Sequence, residues 1–373
     1  MGERFNTRAT VVAHALARSL WRKSAGGPVR RVLIAHNLLL GDTLMLTALL
    51  AKLRSVHPAA EVDLLASPAF VPLYAQRPYG VRALPFTPSR SATTRELLAR
   101  GPYDLAFVVG DNRYSWLAAA LGARHIVAHA GGPARSNWFV DEAHAYDAEP
   151  ATWSDMVAEL LEGDPPPPYA RGDWPDPPAA PFEKPTGPYA VLHVGASSPL
   201  KLWLPERWNA VARALAAEGL HVVWSAGRGE EGVVAACDPA REFPSYAGRL
   251  DLAQLWHLLR GAALLMAPDT GVGHLGRAAW TPTVALFGPG SHALCDPGQF
   301  WRGTPWAGVG EDPFPCRDQQ RLFGRHVAWV RRCGRTTAEC AAPRCMHAIS
   351  VDAALAAARK VRAMGHPQGG LVR

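Results

Sequence analysis

ALLMAPDTGVGHLGRAAWTPTVALFGP, residues 263–289, decides the fold. It opens on a short apolar run ending at Pro268, turns through Asp269, Thr270 and Gly271, continues at helical spacing, and returns to a second apolar run, TVALFG. Strand, helix and strand in so few residues make a βαβ unit, whose strands run parallel and are buried on both faces. The turn does more than connect. Glycines at the opening of a helix leave backbone N–H groups unpaired at its positive end, which is a cradle for an anion. Thr270 adds a hydroxyl and His274 a further donor, while Gly271 and Gly273 let backbone approach a diphosphate closely. Asp269, at the strand's end, is placed to accept sugar hydroxyls; an Asp-Thr-Gly turn is also an ordinary helix cap.

The same alternation extends outward in both directions. Upstream lie strand YAVLHVG from Tyr189, a helix over 205–218, strand HVVWSAG from His221 and a helix over 252–260. Nearer the N-terminus, VLIAH from Val32, EVDLLAS from Glu61, DLAFVVG over 104–110 and HIVAHA over 125–130 read as strands, and 43–57 as a helix. The expected fold is therefore α/β, with two Rossmann-like doubly wound domains facing a central cleft at the carboxyl ends of their strands. Between them, residues 164–188 are too rich in proline for a helix interior or a central strand and read as a stiff linker. The division is 1–163, the N-terminal Rossmann-like domain; 164–188, the linker; 189–350, the C-terminal Rossmann-like domain that holds the anion cradle; and 351–373, a final helix and tail.

Size and composition agree with this. The chain has 373 residues, 48% hydrophobic and 19% charged, enough for two cores and too apolar for disorder. No apolar run approaches the roughly 20 residues of a membrane span, and no signal peptide is evident, so a cytoplasmic protein is expected. The six cysteines are too few for a disulfide scaffold. A net charge of +7 favours anionic partners, such as phosphates, an acidic glycolipid or a membrane surface. No nucleic-acid-reading motif accompanies it, and nucleic acid is not expected. Residues 9–23 carry Val12, Leu16 and Leu20 at helical spacing among Arg8, Arg18, Arg22 and Lys23, with Trp21 nearby. Such a helix either lies on the inner membrane face or packs on the protein's own surface.

Other strand-end loops hold candidate residues. After YAVLHVG come Ser197, Ser198 and Lys201, a cation able to neutralise phosphate or to remain merely solvated. After HVVWSAG, Glu230 or Glu231 is placed to hold ribose hydroxyls. After VLIAH, Asp42 is either the N-cap of the next helix or a base that deprotonates an acceptor hydroxyl. Neither domain's first turn has Gly-x-Gly-x-x-Gly, which argues against a dinucleotide oxidoreductase.

GDTLMLTALLAKLRSVHPAAEVDLL from Gly41, HVGASSPLKLWLPERW from His193 and APDTGVGHLGRAAWTPTVALFGP from Ala267, in this order, resemble glycosyltransferase family 9, the ADP-heptose:lipopolysaccharide heptosyltransferases. The resemblance implies a GT-B fold and inverting, metal-independent transfer of heptose from ADP-heptose to an anionic glycolipid, the lipopolysaccharide core, with no cofactor. It makes Asp42 the general base and Lys201 the phosphate and sugar contact, with Ser197 and Ser198 as phosphate-loop donors. It makes Glu230 the ribose ligand, Leu250 the adenine contact, and Asp269, Thr270, Gly271, Gly273 and His274 the donor cradle. It also implies a final helix of the kind that packs back across the hinge.

Near the C-terminus stand Cys316, Cys333, Cys340 and Cys345, with His326 and His347. Without a close Cys-x-x-Cys knuckle, buried or surface thiols are expected in preference to zinc, and no metal site is assigned. The arginines between Arg317 and Arg344 either meet acceptor phosphates or form a solvated basic face.

Overall fold

The computed structural model describes residues 2–19 and 27–365. The chain folds into two compact units, Met1–Pro167 with Arg321–Ala328, and Pro168–Gln320 with Trp329–Arg373. No helix among the described residues is long and apolar enough to cross a membrane.

The first unit is built on β1 (Arg31–Ala35), β2 (Glu61–Ala66), β3 (Arg82–Pro85), β4 (Tyr103–Val108), β5 (Ala123–His129) and β6 (Glu142–His144). All neighbours are parallel, in the order β3-β2-β1-β4-β5-β6. The run RVLIA is central because it is apolar on both faces, and Val32 to Ala35 are fully buried. The helix expected over 43–57 is two, Leu40–Met45 and Thr47–Val56. They part at Leu46, where the Thr47 hydroxyl turns back to the Leu44 carbonyl.

The N-terminal helix spans Gly2–Ser19, earlier than the sequence suggests; Leu20, Trp21, Arg22 and Lys23 lie outside the described residues. It docks by its small side, burying Thr7 and Ala15, because small residues allow close approach to the helix Tyr114–Ala120. Phe5, Val12 and Leu16 consequently face outward.

A short antiparallel hairpin, β12 (Arg321–Leu322) and β13 (Arg325–His326), also belongs to this unit. Arg325 carries it. Its buried guanidinium donates to the carbonyls of Gly110 at 2.6 Å and Ala130 at 2.9 Å, and to Asn112 Oδ1 at 2.6 Å, closing the carboxyl ends of β4 and β5. Phe323 packs on Trp153 with ring centroids 4.6 Å apart. Arg325→Lys, which lacks the planar fork, will leave several buried acceptors unmet and cost this unit about 3 kcal/mol. Hydrogen exchange of the β4 and β5 amides should quicken accordingly, and unchanged protection would refute this role.

The second unit contains β7 (Tyr189–His193), β8 (His221–Ser225), β9 (Leu264–Pro268), β10 (Thr283–Leu286) and β11 (Trp306–Val309), parallel in the order β11-β10-β9-β7-β8. Much of the proline-rich run is a strap on this unit. Tyr169 and Trp174 are buried in it; the Tyr169 hydroxyl donates to the Ala278 carbonyl, and Trp174 lies 5.9 Å from Trp256, whose indole N–H meets Asp176 Oδ1 at 2.8 Å. Proline forbids a ladder but not aromatic anchoring. The helix Val351–Gly365 packs on β10 and β11 of this same unit through Ala354, Leu355, Ala358 and Val361.

Candidate functional site

Adjacent strand ends of the second unit gather most of the residues singled out from sequence. β7 and β9 are parallel neighbours, with Leu192 beside Met266, so the loop after each opens at the same edge. After β7 the chain makes one short turn, Pro199–Lys201, capped by Ser198, whose hydroxyl oxygen accepts from the Leu200 amide at 3.3 Å. This cap points Lys201 at the end of β9. Its ammonium donates to the Asp269 carbonyl at 2.6 Å and to Asp269 Oδ2 at 3.0 Å. Burial pushes the Asp269 carboxyl up, but the charge and hydrogen bond of Lys201, with His274 and Arg332 further off, outweigh it and hold the group below the usual carboxylate range. Ser197, by contrast, is exposed.

The helix Gly271–Ala278 starts at this pair. Thr270 is its N-cap in extended conformation, yet its side chain makes no cap bond, and its hydroxyl oxygen is buried without a protein partner. His274 Nδ1 is likewise buried and unmet. The His274 imidazole is held neutral, its pKa pushed down to about 3 by burial and then by the Arg277 charge, so it offers a hydrogen bond and no charge. The ring stacks on Trp306 at 5.8 Å, with Gly273 beneath, where any Cβ would lie 3.3 Å from that indole. Arg277, in the last turn of the same helix, stacks on Trp306 at 3.7 Å and donates to the Cys295 carbonyl at 2.7 Å. Its pKa is lowered to about 9 by burial, which leaves it charged at neutral pH.

Two further glycines are required by close approach. A Cβ at Gly290, after β10, would sit 2.2 Å from Asp269 Oδ2. One at Gly195, after β7, would sit 1.9 Å from Glu230 Oε2, an oxygen that accepts from the Gly227 amide at 2.6 Å. Of the two acidic candidates, Glu230 thus lies against the end of β7, whereas Glu231 accepts from the Gly229 amide at 3.1 Å and abuts Gly248. Leu250 is half-buried just ahead of the helix Leu252–Arg260, which begins with a capping box between Asp251 and Gln254.

Asp42 belongs to the first unit, in the first turn of the helix that follows β1, and is half-buried. Leu39 occupies the N-cap and no side chain caps that helix, so the capping role that the sequence allows Asp42 is not used.

Sequence reasoning missed Arg277, Gly290 and Cys295. No spacing signals Gly290 and Cys295, because the pairing of β9 with β10 brings the chain after β10 to Asp269, and Arg277, on the helix itself, is singled out only by its bond to the Cys295 carbonyl. The ligand atoms of Asp269, His274 and Cys295 lie within 4.8 Å of one another, the separation a metal ion needs. The ammonium of Lys201 already sits against that carboxylate and meets its charge, which makes the trio a poor cation site.

The model of the family described as glycosyltransferase family 9 (heptosyltransferase) matches residues 91–310. Lipopolysaccharide heptosyltransferase 1 of Pseudomonas aeruginosa is 26% identical over 288 residues, covering 69% of this chain and 79% of that protein. Among solved structures, the E. coli ADP-heptose lps heptosyltransferase II superposes with a TM-score of 0.65 at 17% identity, covering 90% of this chain and 98% of that one. The E. coli heptosyltransferase WaaC with ADP-2-deoxy-2-fluoro heptose gives 0.55 at 19% identity, covering 69% and 89%. These likenesses show the GT-B architecture of two Rossmann-like domains. With the family model spanning more than half of its length, the chain belongs to glycosyltransferase family 9.

Proposed function

We propose that this glycosyltransferase moves heptose from ADP-heptose to a sugar hydroxyl of a lipopolysaccharide core, with inversion and without a catalytic metal ion. One observation carries the reading: the Lys201–Asp269 pair stands at the opening of a helix beside two buried polar atoms, Thr270 Oγ1 and His274 Nδ1, that no protein group satisfies. Buried polar atoms in native proteins are met by a ligand or water. A diphosphate at the helix end supplies the acceptors, and the sugar's hydroxyls can both donate to and accept from the side chains around it.

In the reaction the acceptor oxygen attacks the anomeric carbon from the side opposite the diphosphate. Asp42 takes the proton, the new C–O bond forms, and the electron pair of the broken C–O bond leaves with ADP. The charge gathering on the diphosphate is stabilised by the Lys201 ammonium and the helix end. Ser197 and Ser198 join the phosphate contacts, Glu230 takes the ribose hydroxyls and Leu250 lies on the adenine. ADP-heptose is favoured among donors because one E. coli neighbour is an ADP-heptose lps heptosyltransferase and the other holds ADP-2-deoxy-2-fluoro heptose. A membrane-borne acceptor suits the outward Phe5, Val12 and Leu16 of the N-terminal helix, flanked by Arg8.

Thermal melting with ADP-, GDP- and UDP-sugars tests the donor. Saturating ADP-heptose, at about 100 times its Kd, should stabilise the protein by about 2.7 kcal/mol, with the other nucleotides trailing. If no nucleotide sugar raised the melting temperature, and no heptose reached a core acceptor, the reading would be wrong.

A further inference from the structure

Four of the six cysteines line one cavity that the donor site does not use. Cys316, Cys333, Cys340 and Cys345 converge there beside Leu200 and Pro289, and none is in a disulfide. Convergence has a local cause for each. Residues 319 and 332 pair as an antiparallel bridge, Gln319 N to Arg332 O at 2.9 Å and the reverse at 3.1 Å, which closes a chain excursion at its base. Cys316 and Cys333 flank that base, and the Cys333 amide donates to the Pro289 carbonyl at 2.9 Å. Arg335 then ties the pair together, donating to the Cys316 carbonyl and to Asp318 Oδ2 at 2.8 Å. A turn in which the Thr336 amide meets Glu339 Oε2 at 2.8 Å, and the Cys340 amide meets the Thr336 carbonyl at 3.1 Å, folds Cys340 back. Cys345, on the short helix Arg344–His347, is buried against Gly288.

Burial pushes the Cys345 thiol up, and N–H donors and positive charge stand against that effect. Arg335 Nη1 lies 4.0 Å from Cys333 Sγ, and the Met346 amide donates to the Cys345 sulfur. The buried Arg317 guanidinium neighbours Cys345, as do the Cys316 and Cys333 thiols. N–H donors and positive charge around sulfur are what a metal-bound thiolate set, with its net negative charge, requires. No three of the four sulfurs are yet mutually within 4.8 Å, whereas a tetrahedral zinc–thiolate sphere brings sulfurs to about 3.8 Å. Cys340 is half-exposed, and its thiol donates to the Ala342 carbonyl at 3.5 Å, a contact that closing the set would exchange for the metal.

We propose that Cys316, Cys333, Cys340 and Cys345 form a structural tetrathiolate site for one soft divalent transition metal of the zinc class, separate from the donor cradle. Metal binding deprotonates the thiols and releases their protons to solvent. The ion fixes the loops carrying Leu200 and Pro289, each one residue from a donor-site position, Lys201 and Gly290.

The test uses the full chain purified without chelators. Elemental analysis should find about one zinc-class ion per chain, and cobalt exchanged into the protein should give an intense visible band with thiolate-to-cobalt charge transfer. Cys340→Ser, at a half-exposed position where folding is least at risk, should lose the ion and weaken or shift the cobalt spectrum; Cys316→Ser should do the same. Cys295→Ser should keep both, which separates this site from the Asp269, His274 and Cys295 trio. Metal lost in Cys295→Ser but kept in Cys340→Ser would overturn the proposal. So would a metal-free native chain with no cobalt–thiolate band, or a disulfide among the four in protein isolated under reducing conditions.

Discussion

Replacing Asp42 by asparagine is expected to lower the rate of sugar transfer by about 10² to 10⁴ while leaving donor affinity within about twofold. Asparagine keeps the shape and a hydrogen-bonding oxygen but cannot accept the acceptor's proton. The proposed nucleotide contacts all come from the second unit, so calorimetric titration with ADP-heptose should hardly register the change. Asp42 is not the N-cap of its helix, and the substitution removes no capping bond. Melting temperatures of the two proteins, measured beside the rates, tell a loss of stability from a loss of catalysis. A rate drop smaller than tenfold, or a parallel loss of donor affinity, would remove Asp42 from the base role.

Lys201→Met tests the other half of the reaction and carries two separable effects. The first is kinetic: without the ammonium proposed to meet the leaving diphosphate, kcat/KM should fall by about 10² to 10³. The second concerns folding. Asp269 would keep a mostly buried carboxylate with its closest cation gone, at a cost of about 2 kcal/mol after allowing for the partial exposure of the pair. The folded carboxyl is depressed below its unfolded value, so the stabilisation it represents is complete above the unfolded pKa and disappears as pH falls through the lower folded one. Urea unfolding should then show the native protein and Lys201→Met far apart at pH 7 and converging in acid. Combining Lys201→Met with Asp269→Asn should recover the stability without recovering transfer. If the gap between the proteins were the same at every pH, the Lys201–Asp269 pair would not be its source.

Local readings from sequence fared according to whether their cause was local. The strand, turn and helix around Asp269 were legible because apolar periodicity and the glycines at 271 and 273 act within a few residues. The break at Leu46 was not, since Thr43 to His57 keeps helical spacing throughout and only hydroxyl competition for backbone carbonyls divides it. In the proline-rich run the prolines announced an absence of regular structure. That Tyr169 and Trp174 bind it to the second unit follows from pockets made by residues about a hundred positions downstream.

The amino-acid order by itself determined the parallel α/β layering, the doubled Rossmann-like plan and the glycine-opened helix after Asp269, because each follows from side-chain period and backbone stereochemistry within one βαβ unit. Tertiary structure alone decided that Lys201 clasps Asp269, that Gly195 and Gly290 must lack side chains, that Arg325 closes the first unit from far along the chain, and that four scattered cysteines share a cavity. Those contacts depend on which strands become neighbours and in what register, a choice made by burial of the whole core, so no local pattern records them.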